Sequence, residues 1–153
     1  MTVTNIYLVA WWFDTLGGME RHMTDAAIAL ARRGCNVTVF SEMPVAPGNQ
    51  YIRALKEAGI CAILPRKTSE LADRVTGSRL NRRIEQWQFD RLGKANGMLE
   101  TYRREQVNCL QTRALFKAMT KRATLFPPDV IHVHGCRLGQ REIMKWARAR
   151  HYP

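Results

Sequence analysis

The feature that most constrains this chain is an alternation of short apolar runs with longer stretches of helical periodicity. Residues 6–10, IYLVA, form a continuous β-leaning run, the pattern of a parallel strand covered on both faces. A turn follows over 14–18. Met19, Met23, Ala26, Ala27 and Leu30 then recur at helical spacing, with Glu20, Arg21, Thr24 and Asp25 between them. Gly34 is placed to stop that helix, and Arg32 and Arg33 suit the negative end of its dipole. NVTVFS, 36–41, reads as a second strand. A helix over 51–58 stopped by Gly59 and a strand over 60–64 repeat the unit. After Pro127-Pro128, which terminate any helix before them, VIHVH at 130–134 reads as a fourth strand. A last basic helix is expected over 139–150.

Strand, helix and strand joined by short connections imply parallel pairing through right-handed crossovers. The expected fold is α/β: a Rossmann-like, doubly wound parallel sheet. It forms a single domain over 1–153, with 6–10 and 130–134 near the sheet's centre. A basic helical excursion is expected over about 66–125, where the βα pattern weakens.

Composition narrows the function classes. A chain of 153 residues, 46% hydrophobic and 24% charged, is ordinary for one globular domain. The net charge of +11 is not ordinary, and much of it is local: residues 66–122 carry 14 Lys/Arg against 6 Asp/Glu, a surplus of eight. Such a field attracts anionic lipid, phosphorylated substrates or nucleic acid, and it also suits a solvated helical surface with no partner. No recognised nucleic-acid motif accompanies the charge, so no nucleic-acid partner is expected. A non-catalytic basic module docking on anionic membrane is the alternative to an enzyme. The attraction to membrane would fade with salt, because exposed charges are screened over roughly 8 Å at physiological ionic strength.

Cys35, Cys61, Cys109 and Cys136 are widely spaced with no C-x-x-C pair, so no zinc site is expected. The first basic residue is Arg21 and the early apolar run spans only residues 6–13. That is neither a secretion signal nor a membrane span, which takes about 20 apolar residues. Reduced thiols in the cytoplasm are the simplest expectation.

In open parallel sheets, ligands sit at the carboxyl ends of the strands. Two sets of residues fall there. Gly17-Gly18 opens the first helix, where free N–H groups and the positive dipole end favour an anion such as phosphate. Glycine there would permit positive φ and close ligand approach. Neither a dinucleotide fingerprint nor a P-loop surrounds the pair, and a bare Gly-Gly also serves as a simple turn. His134 and His132 share one face of the fourth strand, and His134 lies nearer the crevice. His132 fits a core or rim histidine satisfied by backbone. Trp11 and Trp12 suit either a sugar-stacking platform or a cap on the core. His22 reads as a surface residue and Glu20 as a complement to the helix dipole.

GGMERHMTDAAIALARRGCNVTVFSE, 17–42, resembles the first helix and second strand of family-4 type GT-B glycosyltransferases, and PPDVIHVHG, 127–135, resembles the fourth strand of the same N-terminal domains. With the first strand these segments cover about a third of the chain. The resemblance implies the acceptor-side half of a retaining, metal-independent enzyme, in which a second domain with an E-x7-E signature holds the nucleotide-sugar. It implies that Gly17 and Gly18 approach the donor diphosphate and that His134, as the catalytic residue, contacts the transferred sugar or helps at the reaction centre. Glu20 and Arg21 would only start the helix. A sugar or lipid-linked acceptor, a role in cell-envelope polysaccharide or lipopolysaccharide synthesis, and a place at the inner face of the membrane follow as expectations. No two glutamates stand eight positions apart. The chain is therefore expected to be a truncated gene product, a fragment or one half of a split enzyme, lacking the donor domain and inactive alone, with no cofactor beyond the nucleotide-sugar substrate.

Overall fold

A computed structural model describes residues 3–10, 13, 17–43, 45, 48–65, 112–134 and 139–153. Strands β1 (Asn5–Ala10), β2 (Asn36–Ser41), β3 (Cys61–Ile63) and β4 (Val130–His134) form one sheet. Its order is β3-β2-β1-β4, and every pair is parallel. Helices α1 (Gly18–Arg32) and α2 (Gln50–Glu57) pack on one face. The helical residues 112–123 (α3) and α4 (Gly139–Ala149) pack on the other. Among the described residues this is a doubly wound α/β sheet, as the alternation of runs predicts.

The two cores follow from strand alternation. Ile6, Leu8 and Ala10 point to the α1/α2 face and join Met23, Ala27, Val37, Val39, Ile52 and Leu55. Tyr7 and Val9 point the other way and join Phe40, Leu115, Met119, Ile143 and Trp146. Tyr7 also anchors the end of α3: its hydroxyl donates to the Phe126 carbonyl at 2.8 Å, and burial pushes its pKa up to about 12.

Helix ends repeat one device. After α1, Gly34 at φ 88 lets its own N–H reach Ala31 O and the Cys35 N–H reach Leu30 O. After α2, Gly59 at φ 72 does the same with Lys56 and Leu55. This is the Schellman arrangement, which glycine accommodates without steric cost. α4 closes identically onto Arg148 and Ala147, with His151 at φ 55 in the glycine position. α2 begins on Asn49, whose Oδ1 accepts from Tyr51 N and Ile52 N.

Three expectations shift. Strand β4 is not central: among the described residues it is an edge strand, and Val130 is 41% exposed. Helix α1 is turned relative to its apolar pattern, with Met19 exposed while Glu20, Met23, Thr24 and Ala27 line the buried face. Thr24 tolerates this because its hydroxyl donates to the Glu20 carbonyl at 2.8 Å. Residues 112–123, expected within the excursion, instead bury Leu115 and Met119 under the sheet. The remainder of that basic stretch, 66–111, lies outside the described residues, as do Trp11, Trp12, Cys109 and Cys136.

Fully buried Leu55 and half-buried Ile131 should therefore respond differently to truncation. Leu55→Ala is expected to cost about 2–5 kcal/mol through cavity formation, and Ile131→Ala clearly less, because the edge strand is only partly covered. Urea melts of the two variants measure this, and equal losses would contradict the placement of β4.

Candidate functional site

Parallel pairing brings the strand ends together. Ala10, the last residue of β1, pairs with Ser41 on one side and His134 on the other. The register places Val130, His132 and His134 on the face that carries Ile6, Leu8 and Ala10, the face on which α1 packs. His22, in the second turn of α1, thereby meets the end of β4. Its ring centroid lies 6.0 Å from that of His134, edge-on. The His132 ring centroid lies 4.2 Å from that of His134.

Three histidines from two elements thus converge at the carboxyl edge, beside the turn that opens α1. His132, expected as a core or rim residue, is exposed, because β4 lies at the sheet's edge. The imidazole of His134 is held below its ordinary pKa, first by burial and then by the neighbouring His132 and His22. It is neutral at pH 7 and can accept as well as donate a hydrogen bond. Among the described residues no three His, Cys, Asp or Glu side chains are placed to hold a metal ion.

Gly17 and Gly18 open α1, but neither takes positive φ. Gly17 is extended at φ −82, and the described glycines at positive φ are Gly34, Gly48 and Gly59. Gly17 is small for another reason. A Cβ there would overlap the carboxylate of Glu20, which folds back against the start of the helix. Glu20 occupies the third helical position, from which a glutamate reaches back toward the N-cap. At Gly18 an added Cβ would meet nothing, so its face of the turn is open.

Between β1 and α1, Phe13 is held in place. Phe13 is buried among the α1/α2 core residues, and its carbonyl accepts from Asn49 Nδ2 at 3.1 Å. The same Asn49 caps α2. Next along the edge is Glu42, buried just past β2, whose Oε1 accepts from Thr112 of α3 at 2.7 Å.

Two of these neighbours escape sequence reasoning. Glu42 follows an unremarkable strand, and only its position at a strand's carboxyl end could have marked it. His22 carries a signal of spacing alone, four residues after Gly18. An open cleft of about 550 Å³ exists at the opposite, amino edge, among Asn5, Asp129, Arg150 and Tyr152. Parallel sheets of this kind place their ligands at the other end.

Adding a methyl group separates the two glycines. Gly17→Ala should lower stability by about 1–2 kcal/mol, because the Glu20 carboxylate must be displaced from a packed position. Gly18→Ala should leave the thermal melt unchanged or raise it, since alanine favours helix. Equal destabilisation by both would contradict the packing.

The depressed His134 pKa has a sign. The unfolded chain takes up this proton near the ordinary value of 6.5, whereas the folded protein takes it up only at lower pH. Stability should therefore fall as pH drops below about 6.5. His134→Gln should flatten that decline in melts between about pH 8 and about pH 5, where histidine titrates. A decline as steep in the variant would contradict the assignment.

No protein family, curated protein or solved structure matches the chain, so its residues and their geometry carry the functional argument.

Proposed function

We propose that this domain is the acceptor-side half of a two-domain, GT-B type retaining glycosyltransferase. In this reading a nucleotide-sugar is held mainly by a second domain beyond these 153 residues, in the same chain or a separate one. An acceptor hydroxyl replaces the nucleotide diphosphate at the anomeric carbon of the sugar. The observation that best supports the reading is the meeting of the α1 start with His134 at one carboxyl edge, shown by the 6.0 Å approach of His22 to His134. The segments that resemble the glycosyltransferase family are the ones that meet there.

Each residue then has a task. Neutral His134 hydrogen-bonds a hydroxyl of the transferred sugar and holds it at the reaction centre. Gly18 leaves the turn open for ligand to approach the backbone. The surplus of basic residues over 66–122 suits a lipid-linked or cell-envelope acceptor at the cytoplasmic face of a membrane. Among the described residues no helix is long and apolar enough to cross a bilayer.

Joined to a donor domain with an E-x7-E signature, the chain should transfer sugar, and the 153 residues alone should not. In the joined enzyme His134→Ala should lower kcat by about 10²-fold or more, the scale of losing one positioned polar group in a reaction centre, with a melt close to the parent's. Full activity in the His134→Ala enzyme would remove His134 from the site.

A further inference from the structure

The start of α1 brings helix N–H groups that have no intrahelical partner beside a buried, unpaired carboxylate oxygen. Gly17 is the N-cap and offers no side chain, so no cap hydrogen bond forms. The first intrahelical bond runs from Arg21 N to Gly17 O, which leaves the N–H groups of Gly18, Met19 and Glu20 without intrahelical partners. Beside them lies the carboxylate of Glu20, a buried residue with 8% relative exposure. Its Oε2 has no hydrogen-bond partner. A buried carboxylate oxygen left unpaired is costly and rare in a folded protein, so a missing donor is the natural completion.

Electrostatics selects that donor. An anion would meet the Glu20 charge at close range. A cation would meet the positive end of the α1 dipole, with His22 and His134 nearby. A hydroxyl carries no charge, donates to Oε2 and accepts from a helix N–H in the same position. Several hydroxyls on one small molecule would satisfy both kinds of group together.

We propose that Glu20 and the first turn of α1 form a binding site for a neutral polyhydroxyl molecule, with Glu20 Oε2 as the acceptor of a ligand hydroxyl. The inference rests on the glycosyltransferase reading only for its biological meaning: it assigns this turn to a sugar-like substrate rather than to the donor diphosphate. Glu20 becomes a specificity-determining residue and not merely the start of a helix.

The test is an amide NMR titration of the chain with glucose and, separately, with inorganic pyrophosphate. Glucose should produce saturable shifts at Gly17, Gly18 and Met19, and pyrophosphate should bind these amides more weakly. Glu20→Gln should weaken glucose binding at least tenfold and strengthen pyrophosphate binding, with an unchanged melt. A purely structural Glu20 would move neither ligand's affinity. The proposal fails if glucose shifts none of these amides, if pyrophosphate binds them more tightly than glucose, or if Glu20→Gln leaves both affinities unchanged. The wild-type comparison decides even if the variant folds poorly. No sugar transfer is measured, so a failed transfer assay with intact glucose binding would count against the enzyme reading alone.

Discussion

Everything at the candidate site depends on β1 being paired on both sides in fixed parallel register. Asn5 sets that register at the amino edge. Its backbone N–H donates to Asp129 Oδ2 at 2.7 Å, and its carbonyl accepts from Asp129 N at 2.8 Å. Its side chain donates to the Pro127 carbonyl and accepts from Asn36 Nδ2. One residue thus aligns the starts of β2 and β4 on the start of β1. A slip of one residue would turn every side chain of a strand to the opposite face. With the starts aligned, strands of similar length end together, and Ala10, Ser41 and His134 arrive at one edge.

The edge then acquires its chemistry from what α1 presents. The helix docks with Glu20 and Thr24 on its buried face beside Met23 and Ala27. This places the Glu20 carboxylate against Gly17 and turns His22 toward His134. Burying a carboxylate without full pairing is unfavourable, and a more apolar residue at that position would pack more cheaply. Unfavourable groups of this sort concentrate where ligands bind, because there the ligand supplies the missing partner. The same reasoning covers His134, whose lowered pKa arises from burial and from two neighbouring imidazoles rather than from any single partner.

Much of this was legible in the sequence. Strand runs follow from apolar continuity, and the ends of α1 and α2 follow from Gly34 and Gly59. The close of α4 was harder, because His151 takes the left-handed conformation that glycine usually supplies. The orientation of α1 departs from its apolar pattern for a physical reason: periodicity assumes that the buried stripe is apolar, and here Glu20 and Thr24 occupy it. The edge position of β4 could not be read from its composition, since VIHVH has the apolar content of a covered strand. Of the site residues, His134 and the Gly17-Gly18 turn were visible from their places at strand and helix ends. The contacts of His22 with His134 and of Glu20 with Gly17 required the three-dimensional packing of α1 on the sheet.

The central claim is that the start of α1 and the end of β4 form one site. Proton–proton contacts between the imidazole rings of His22 and His134 test it most directly, through nuclear Overhauser spectra of the labelled chain. At a centroid separation of 6.0 Å, edge-on, the nearest ring protons are close enough to give a cross-peak. The account predicts that cross-peak, together with one between His132 and His134. Its absence for His22, with the His132 contact present, would separate α1 from the strand end and contradict the site.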